Sequence, residues 1–240
     1  MLEHIKPGDL MFLDIETVPS RQSFDDLDPA WQMLWDKKSK QFRGADQTAA
    51  EAYERAGIYS DFGRIICISA GVITDSGPPG FRIKSFYGDD EKVLLSEFAS
   101  MLNKFAVNRD VLLCAHNGKE FDYPYIARRM VINGLRVPDL LDNAGKKPWE
   151  VKLLDTMELW KFGDHKNYTS LELLTTVLGI PTPKDDIDGS MVAGIYWIEK
   201  DIKRIVIYCE KDVLAVAQVV LRFMNRPLIA EDRVESITSL

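Results

Sequence analysis

Two carboxylates near the start of the chain are spaced so that they could share a metal ion. Asp14 and Glu16 are two residues apart at the end of an apolar run, and alternation along an extended chain puts both side chains on one face. Two such carboxylates repel each other unless a cation lies between them, and oxygen ligands suit Mg²⁺ or Mn²⁺. Asp89 and Glu91 have the same spacing in Asp89-Asp90-Glu91, where we expect Asp89 or Asp90 to cap a helix, so the triplet alone also fits surface acids. The position of Asp14 and Glu16 at the end of a predicted strand, where ligands collect at open α/β sheets, favours the metal site.

A third carboxylate, Asp122, follows the apolar segment Leu112–Ala115 and falls in the first turn of a predicted helix. The helix dipole alone favours an acid there, so a structural role stays open. Asn117 and Phe121 add to the functional alternative, because an amide can hydrogen-bond a nucleotide and an aromatic ring can pack behind the acid. We expect His116 to be a packed or hydrogen-bonded histidine rather than a metal ligand.

Tyr208 and Asp212 are four residues apart in the last long predicted helix and therefore share a face. A phenol and a carboxylate one turn apart can address one water on a metal ion. A simple pair on the helix surface is the alternative. We expect Glu210 and Lys211, which lie between them, to face solvent.

Composition limits the class of protein. The formal net charge of −7 argues against a sequence-independent nucleic-acid coat, although two divalent cations at an acidic site would bring it to −3. Cys67, Cys114 and Cys209 lie in apolar segments without a Cys-x-x-Cys motif, which predicts buried, reduced thiols, and the histidines lack zinc-site spacing. No signal peptide or membrane-spanning run is evident, so we expect a soluble, cytoplasmic protein that does not bind membranes.

The elements that must position these residues follow from periodicity and turn signals. Apolar or alternating segments predict strands at Met11–Asp14, Arg64–Thr74, Phe81–Tyr87, Val111–Ala115 and Leu153–Asp155, with a turn at Asp75–Gly80. Helices are predicted from Asp90 to about Phe105, from about Phe121 to Asn133, and over Thr156–Phe162, Ser170–Leu178, Ser190–Trp197 and Asp201–Met224. This order predicts an α/β fold: a mixed sheet, antiparallel in its first three strands and parallel in the remainder, with helices on both faces.

Two parts of the chain differ from this pattern. Residues 20–60 predict a mostly helical insertion, and the polar tail at 225–240 is expected to be loosely held. Trp31 and Trp35 could stack on bases, but we favour packing of the insertion onto the sheet. Basic residues could steer a phosphate backbone, although we favour a solvated face for them: Lys37, Lys38, Lys40, Arg43, Lys146 and Lys147. No linker is evident, so we expect a single domain over residues 1–240.

Other acids do not have a spacing that forces a role. They could lie behind the metal ligands as outer-shell groups: Asp155 (with Thr156), Asp185, Asp186 and Asp188. We favour Asp188 or Ser190 as the cap of the helix that follows.

The three acidic segments, in this order and spacing, resemble the motifs of the DEDD superfamily of 3′–5′ exonucleases. The motifs correspond to Asp14-Ile15-Glu16, to Asn117 through Phe121-Asp122, and to Tyr208 with Asp212. The histidine branch needs a histidine where this chain has Ile207, so the resemblance is to the tyrosine branch, DEDDy. The stretches Leu113–Asp122 and Lys184–Ser190 look like those of the predicted exonucleases related to the proofreading domain of family B DNA polymerases. The resemblance covers roughly residues 8–224 and implies a ribonuclease-H-like fold, in agreement with the strand order.

The resemblance also implies roles. Two divalent cations, Mg²⁺ or Mn²⁺, would be bound: the first by Asp14, Glu16 and Asp212, the second by Asp14 with Asp122, directly or through water. Tyr208 would orient the attacking water, and the product would be a nucleoside 5′-monophosphate.

The same resemblance implies that Thr17 and Asn117, with Phe121, contact the terminal nucleotide. We expect the substrate to be the 3′ end of single-stranded DNA. An exoribonuclease that trims RNA uses the same residues and is one alternative; a non-catalytic nucleic-acid-binding module on the same scaffold is the other. The sequence indicates no protein partner.

Overall fold

The computed structural model describes residues 2–74, 78–107, 109–164, 168–181 and 187–240. Part of the predicted turn at Asp75–Gly80, His165, and residues 184–186 of the stretch Lys184–Ser190, including Asp185 and Asp186, lie outside the described residues.

Six strands of the described chain form one mixed sheet in the order β5-β4-β1-β2-β3-β6. Their bounds are β1 Leu10–Pro19, β2 Gly63–Thr74, β3 Gly80–Tyr87, β4 Leu112–Ala115, β5 Leu153–Asp155 and β6 Val234–Ser236. β1, β2 and β3 are antiparallel neighbours, β4 and β5 run parallel to β1, and β6 runs parallel to β3. The predicted mixed sheet is confirmed, with one strand more than we expected.

The helices follow the predicted order. Their bounds are α1 Pro29–Ser39, α2 Glu91–Ala106, α3 Asp122–Ile132, α4 Thr156–Lys161, α5 Leu171–Val177, α6 Val192–Gly194, which continues as a π-helical turn over Ile195–Glu199, and α7 Ile202–Phe223. Asp90 caps α2 by accepting the Val93 N–H, as predicted. The predicted cap of α6 is wrong: the Asp188 carboxylate accepts the N–H and hydroxyl of Ser190 instead. None of the described helices has the length and apolar character needed to cross a bilayer.

Strand β1 alternates between two cores, and this alternation decides where its acids point. Leu13 and Ile15 pack with α2 and α3 on one face of the sheet. Leu10 and Phe12 pack with α7 on the other face. The even-numbered side chains therefore face α7, so the strand directs Asp14 and Glu16 toward that helix.

The predicted insertion is helical and folds around a tryptophan. Trp35 is fully buried, and its Nε1 donates to the Ala49 carbonyl at 2.8 Å. Its ring meets Phe62, just before β2, at 5.1 Å between centroids, and its cluster otherwise consists of insertion residues. Trp35 therefore packs, as we favour over base stacking, but within the insertion and not onto a strand of the sheet. Trp31, which is 44% exposed, meets Phe62 edge-on.

The expectation of a loosely held tail is wrong. Ile229 is buried, and its backbone N–H and carbonyl each bond the Gln218 side chain of α7 at 2.9 Å. β6 then pairs with β3, and the Thr238 hydroxyl donates to the Glu210 carboxylate of α7. A strand of three residues with little apolar character has no detectable periodicity, so the pairing depends on tertiary contacts.

Candidate active site

The two acids of β1 lie beyond the point where the parallel neighbour strand stops. β1 pairs with β4 only from Leu10 to Phe12, whereas its pairing with β2 continues to Pro19. Asp14 and Glu16 are therefore inside β1, not at its end as we predicted, but they lie past its parallel partner. Asp14 is partly exposed, and Glu16 is buried at 7% exposure. The absence of a paired strand on this side leaves room for groups from α3 and α7.

Asp122 reaches β1 from the first residue of α3. It is 3% exposed, and its Oδ1 accepts the N–H of Ile15 at 3.2 Å. Since Ile15 lies between Asp14 and Glu16, this bond places the third carboxylate beside the first two. The predicted convergence of these two segments is thus present in the structure.

Tyr208 and Asp212 extend from α7 toward the same place. Their side chains are hydrogen-bonded to each other, one helical turn apart. Negative charge at Asp212 raises the pKa of both Asp14 and Glu16, so Asp212 lies within electrostatic range of the β1 pair. Together β1, α3 and α7 therefore contribute four carboxylates and one phenol to one cluster.

The pKa values of the side chains in this cluster are strongly raised. Burial, followed by repulsion from neighbouring carboxylates, raises the pKa of Asp14 and of Glu16 well above their ordinary values. Burial likewise raises the pKa of Asp122 to about 7, although the Ile15 N–H opposes it. Burial and then Asp212 raise the pKa of the Tyr208 phenol, which therefore stays protonated at neutral pH. Among the described residues, no basic side chain is among the causes that shift the pKa of Asp14, Glu16 or Asp122.

Two carboxylates of this cluster suit a hard divalent cation. Ligand atoms of Asp14, Glu16 and Cys209 all lie within 4.8 Å of one another, and of these the two carboxylates, not the Cys209 thiol, are the donors that Mg²⁺ and Mn²⁺ prefer. A cation would favour the ionised carboxylates and so oppose the burial and repulsion that raise their pKa values.

Cys209 is a site residue that sequence reasoning missed. Burial and then a hydrogen bond with Cys67 raise the pKa of its thiol, so the thiol stays protonated and donates to Asp14 Oδ2 at 3.3 Å. Cys67 lies opposite Glu16 in the β1–β2 register. The prediction of buried, free cysteines is confirmed, and the adjacency of Cys209 to Tyr208 was the one available signal.

The loop before Asp122 is held by Asp155, which we had considered only as an outer-shell group. Its two carboxylate oxygens accept the N–H groups of Asn117 at 3.0 Å and Lys119 at 3.1 Å, and Oδ1 also accepts the Met157 N–H at the start of α4. His116 bonds the Thr156 hydroxyl and the Thr169 carbonyl, each at 2.8 Å, which confirms it as a hydrogen-bonded structural histidine. These bonds attach the loop to β5 and α4.

The three predicted substrate-contacting residues lie around the same end of the sheet. Asn117 has a left-handed backbone (φ 61°), and its buried Oδ1 has no partner among the described residues. Thr17 is half-buried, and its side chain hydrogen-bonds Tyr125 of α3. The Phe121 ring packs on Tyr125 at 5.4 Å between centroids, behind Asp122.

One expectation for α7 is wrong. Glu210 does not face bulk solvent, since its Oε1 accepts the hydroxyls of Ser85 at 2.8 Å, Ser236 at 3.0 Å and Thr238 at 2.5 Å. These bonds connect α7 to β3 and to the tail, and so fix the rotation of the helix that carries Tyr208.

Comparison with known proteins identifies the family of this chain. A family model described as a predicted 3′–5′ exonuclease related to the exonuclease domain of PolB matches residues 58–236, well over half of the chain. The chain belongs to this family of PolB-exonuclease-related proteins. The matched range contains Asp122, Tyr208 and Asp212 and begins after Asp14 and Glu16. No curated protein matches the chain.

The fold is shared with a solved polymerase structure. The family B DNA polymerase from the hyperthermophilic archaeon Pyrobaculum calidifontis is similar to this chain with a TM-score of 0.52 and 16% identity. The match covers 88% of this chain and 24% of the polymerase chain, so this chain spans about a quarter of that protein's length. The likeness confirms the predicted ribonuclease-H-like fold.

Proposed function

We propose that this protein is a 3′–5′ exonuclease of the tyrosine branch of the DEDD superfamily. It would hydrolyse single-stranded DNA from the 3′ end with two divalent cations, Mg²⁺ or Mn²⁺, and release nucleoside 5′-monophosphates. One observation carries the proposal: four carboxylates from β1, α3 and α7, two of them buried and two half-buried, converge beside a phenol, and no described basic side chain is among the groups that shift the pKa of Asp14, Glu16 or Asp122.

The four carboxylates divide between two cations. Asp14, Glu16 and Asp212 would hold the first, and Asp14 with Asp122 the second. When bound, the cations make water a nucleophile near neutral pH and stabilise the attacking and leaving oxygens of the displacement. Asp122 also anchors the geometry, because its bond to the Ile15 N–H fixes the distance between α3 and β1.

Tyr208 would orient the attacking water. Its hydroxyl is hydrogen-bonded to Asp212, and its raised pKa keeps the phenol protonated at neutral pH. It therefore acts by hydrogen bonding and not as a general base. The Cys209 thiol donates a hydrogen bond to Asp14 Oδ2 and so helps to position this carboxylate.

Asn117 is the best placed of the proposed substrate contacts. Its buried side-chain oxygen has no partner among the described residues, and an unmade hydrogen bond of this kind costs about 1–3 kcal/mol. A hydroxyl of the terminal sugar would satisfy it. We assign smaller roles to Thr17 and Phe121, whose contacts with Tyr125 shape the wall behind the terminal nucleotide. The substrate class rests on the relation of the family to a polymerase exonuclease domain.

A digestion assay tests the proposal. 5′-Labelled single-stranded DNA and RNA of one sequence are incubated with the protein and Mg²⁺ or Mn²⁺. We expect stepwise shortening of the DNA from its 3′ end, release of 5′-monophosphates, and complete inhibition by a chelator. Asp14→Ala should abolish hydrolysis, and Asp139→Ala, a change at a side chain 92% exposed, should not alter it.

Each part of the proposal can fail separately. Digestion by Asp14→Ala at the wild-type rate would contradict the assigned site. Faster shortening of RNA than of DNA would overturn the substrate class. If calorimetry detects metal binding but no hydrolysis occurs, the protein is a non-catalytic binding module and not an enzyme.

A further inference from the structure

A cavity of about 640 Å³ lies between α3 and the segment that leads into β5, the strand at one edge of the sheet. Most of its lining residues are apolar, and they come from both sides of the cavity. They are Tyr123, Pro124 and Ala127 of α3, and Leu141, Val151 and Leu153 of the segment before and at the start of β5. A volume and lining of this kind are typical of sites that take up a small molecule or one group of a larger one.

Polar groups lie among this apolar lining. Lys119 and Glu158 are paired at 2.6 Å, and Asn143 carries a side-chain amide. The Tyr123 hydroxyl donates to the Leu154 carbonyl at 3.2 Å, so the ring of Tyr123 is held in place beside the cavity. Apolar walls with a few hydrogen-bonding groups suit a planar ring whose edge carries donors and acceptors, as a nucleobase does.

The cavity borders the loop that leads into the candidate active site. Lys119 lies two residues after Asn117, so their Cα atoms are at most about 7 Å apart. Asp155 accepts the backbone N–H groups of both residues, and Tyr123 directly follows Asp122 in α3. The loop that carries the proposed contact to the terminal nucleotide is thus also a wall of the cavity.

An exposed tryptophan lies on the stretch of chain that borders the cavity. Trp149 has 77% of its surface exposed and is located between Ala144 and Val151, which both line the cavity. The Lys147 ammonium lies 5.2 Å from the centre of the Trp149 ring. Surfaces that bind single-stranded nucleic acid combine exposed aromatic rings, on which bases stack, with neighbouring cations. We call the cavity together with Trp149 the base platform.

Charge on this face is mixed. Arg128 and Lys147 bring positive charge, whereas Glu158 is paired with Lys119, and Glu150 accepts the Lys147 N–H at 2.8 Å. The whole chain has a net charge of −7, which repels a polyanion. Attraction of a strand to this face must therefore come chiefly from its bases, through stacking and burial, and less from its phosphates.

We propose that the base platform binds unpaired bases of the strand before its 3′ end, with one base stacked on Trp149 and another in the cavity. The terminal nucleotide occupies the carboxylate cluster, so these bases belong to the nucleotides that precede it. A duplex has its bases paired and stacked already, so the platform favours a single strand. This inference rests on the proposed function, because it identifies a further part of the substrate that the same site would hold.

Equilibrium binding is the first test of the base platform. The dissociation constant for a fluorescent single-stranded DNA is measured against salt concentration, with Ca²⁺ present. Trp149→Ala removes the exposed ring, and Ala127→Leu fills part of the cavity with a good helix former. Each change should weaken binding about tenfold, the loss of one stacked base. The slope of log K against log salt should keep its wild-type value, because no phosphate contact is lost.

Val107→Ala is the control for loss of exposed apolar surface. Val107 is 62% exposed and lies between α2 and β4, at the opposite end of β4 from the Asn117 loop. This variant should bind DNA with the wild-type constant. Thermal unfolding at the wild-type temperature shows that each variant is folded.

A fluorescent base shows where stacking occurs. 2-Aminopurine, whose emission falls when it stacks, is placed at each position of the DNA in turn. We expect the wild type to quench it at positions upstream of the 3′-terminal nucleotide, and Trp149→Ala to abolish this quenching. Quenching at the same positions by Trp149→Ala would remove the tryptophan from the platform.

Substrate length is the third test. A dinucleotide has no bases beyond the pair at the scissile linkage, whereas a longer oligonucleotide has them. We expect Trp149→Ala to lose about tenfold in kcat/KM on the oligonucleotide, by a rise in KM, and to hydrolyse the dinucleotide like the wild type. An equal loss on both substrates overturns the platform.

The outcomes separate the two proposals. Hydrolysis by the wild type, with wild-type DNA binding by both Trp149→Ala and Ala127→Leu, overturns the base platform alone and points to an apolar side chain of a protein partner as the occupant. Weaker binding by both variants without hydrolysis by the wild type supports the platform as a nucleic-acid-binding surface and overturns the proposed enzyme. Wild-type binding by both variants without hydrolysis overturns both. A weaker affinity accompanied by a lower salt slope overturns stacking as its cause.

Discussion

Glu16 and Glu91 are two buried glutamates whose surroundings differ in one respect. Each ends an Asp-x-Glu triplet, and each is 7% exposed. Glu91 faces Arg129, whose Nη2 and Nε lie 2.5 and 2.9 Å from its two oxygens, and it also accepts the Ile65 N–H at 2.7 Å. For Glu16 no such cation is among the described groups that shift its pKa, which is raised by burial and then by the charges of Asp212, Cys67 and Asp122.

The difference separates a structural acid from one that we propose to be a metal ligand. A buried charge is tolerated when a cation and hydrogen bonds compensate for its lost hydration. Glu91 has that compensation within the fold. For Glu16 the described residues show no such compensation, and we propose that a cation from solution supplies it. The shared spacing therefore does not distinguish the two glutamates, whereas the cation beside Glu91 does.

The largest effect should follow from removing the charge of Glu16. Glu16→Gln should lower kcat/KM by on the order of 1,000-fold, because it removes a metal ligand. The same change should leave the metal-free protein as stable as the wild type or more stable, since a repelled charge is lost. Oligonucleotide digestion and urea unfolding measure the two quantities. Wild-type activity of the Glu16→Gln variant would show that Glu16 does not belong to the active site.

Arg129→Met should do the opposite. It leaves the Glu91 charge buried without its partner, which should lower the free energy of unfolding by about 3 kcal/mol. Activity of the folded fraction should stay at the wild-type level. The double variant Glu91→Gln/Arg129→Met should recover part of the stability, and a double-mutant cycle in urea gives the coupling energy. Purely additive losses would show that the pair is not coupled.

A pH series on protein kept metal-free by a chelator should show the cost of ionising the buried Asp122 carboxyl. The pKa of Asp122 is about 7 in the folded state, above its unfolded value, so the folded state holds a proton that the unfolded state has lost between about pH 4 and 7. Stability from this group is therefore present at low pH and is lost as pH rises through that window, by about 2 kcal/mol between pH 5 and 7. Added Mn²⁺ should restore stability more at pH 7 than at pH 5.

Asp122→Asn is the control for this series. The asparagine keeps an acceptor for the Ile15 N–H but does not titrate, so the chelated variant should lose less stability than the wild type as pH rises. A wild-type profile parallel to that of the variant would contradict the assigned cause.

The smallest effect is expected at Tyr208. Tyr208→Phe removes the hydroxyl bonded to Asp212 but no metal ligand, so kcat should fall by about tenfold. Calorimetry should give wild-type affinity for Mn²⁺. A loss as large as that of Glu16→Gln would mean that the phenol does more than orient water.

Local patterns determined much of the fold. The order of strands and helices, the insertion, the Asp90 cap and the buried thiols are all confirmed, because each depends on periodicity, capping or composition within a short segment. The tail strand was not predictable: β6 has three residues, and its partners are on β3 and α7.

The candidate site divides in the same way. The sequence by itself determined which residues can bind a metal and which segments carry them, since carboxylate chemistry and the alternation of β1 are local properties. Only the tertiary structure decided that Glu91 meets Arg129 while no described cation shifts the pKa of Glu16, that Asp155 holds the loop before Asp122, and that Cys209 contacts Asp14. Asp155 and Asn117 are 38 positions apart in the sequence, and Cys209 and Asp14 are 195 apart. Contacts between residues so far apart are set by how the helices and strands pack.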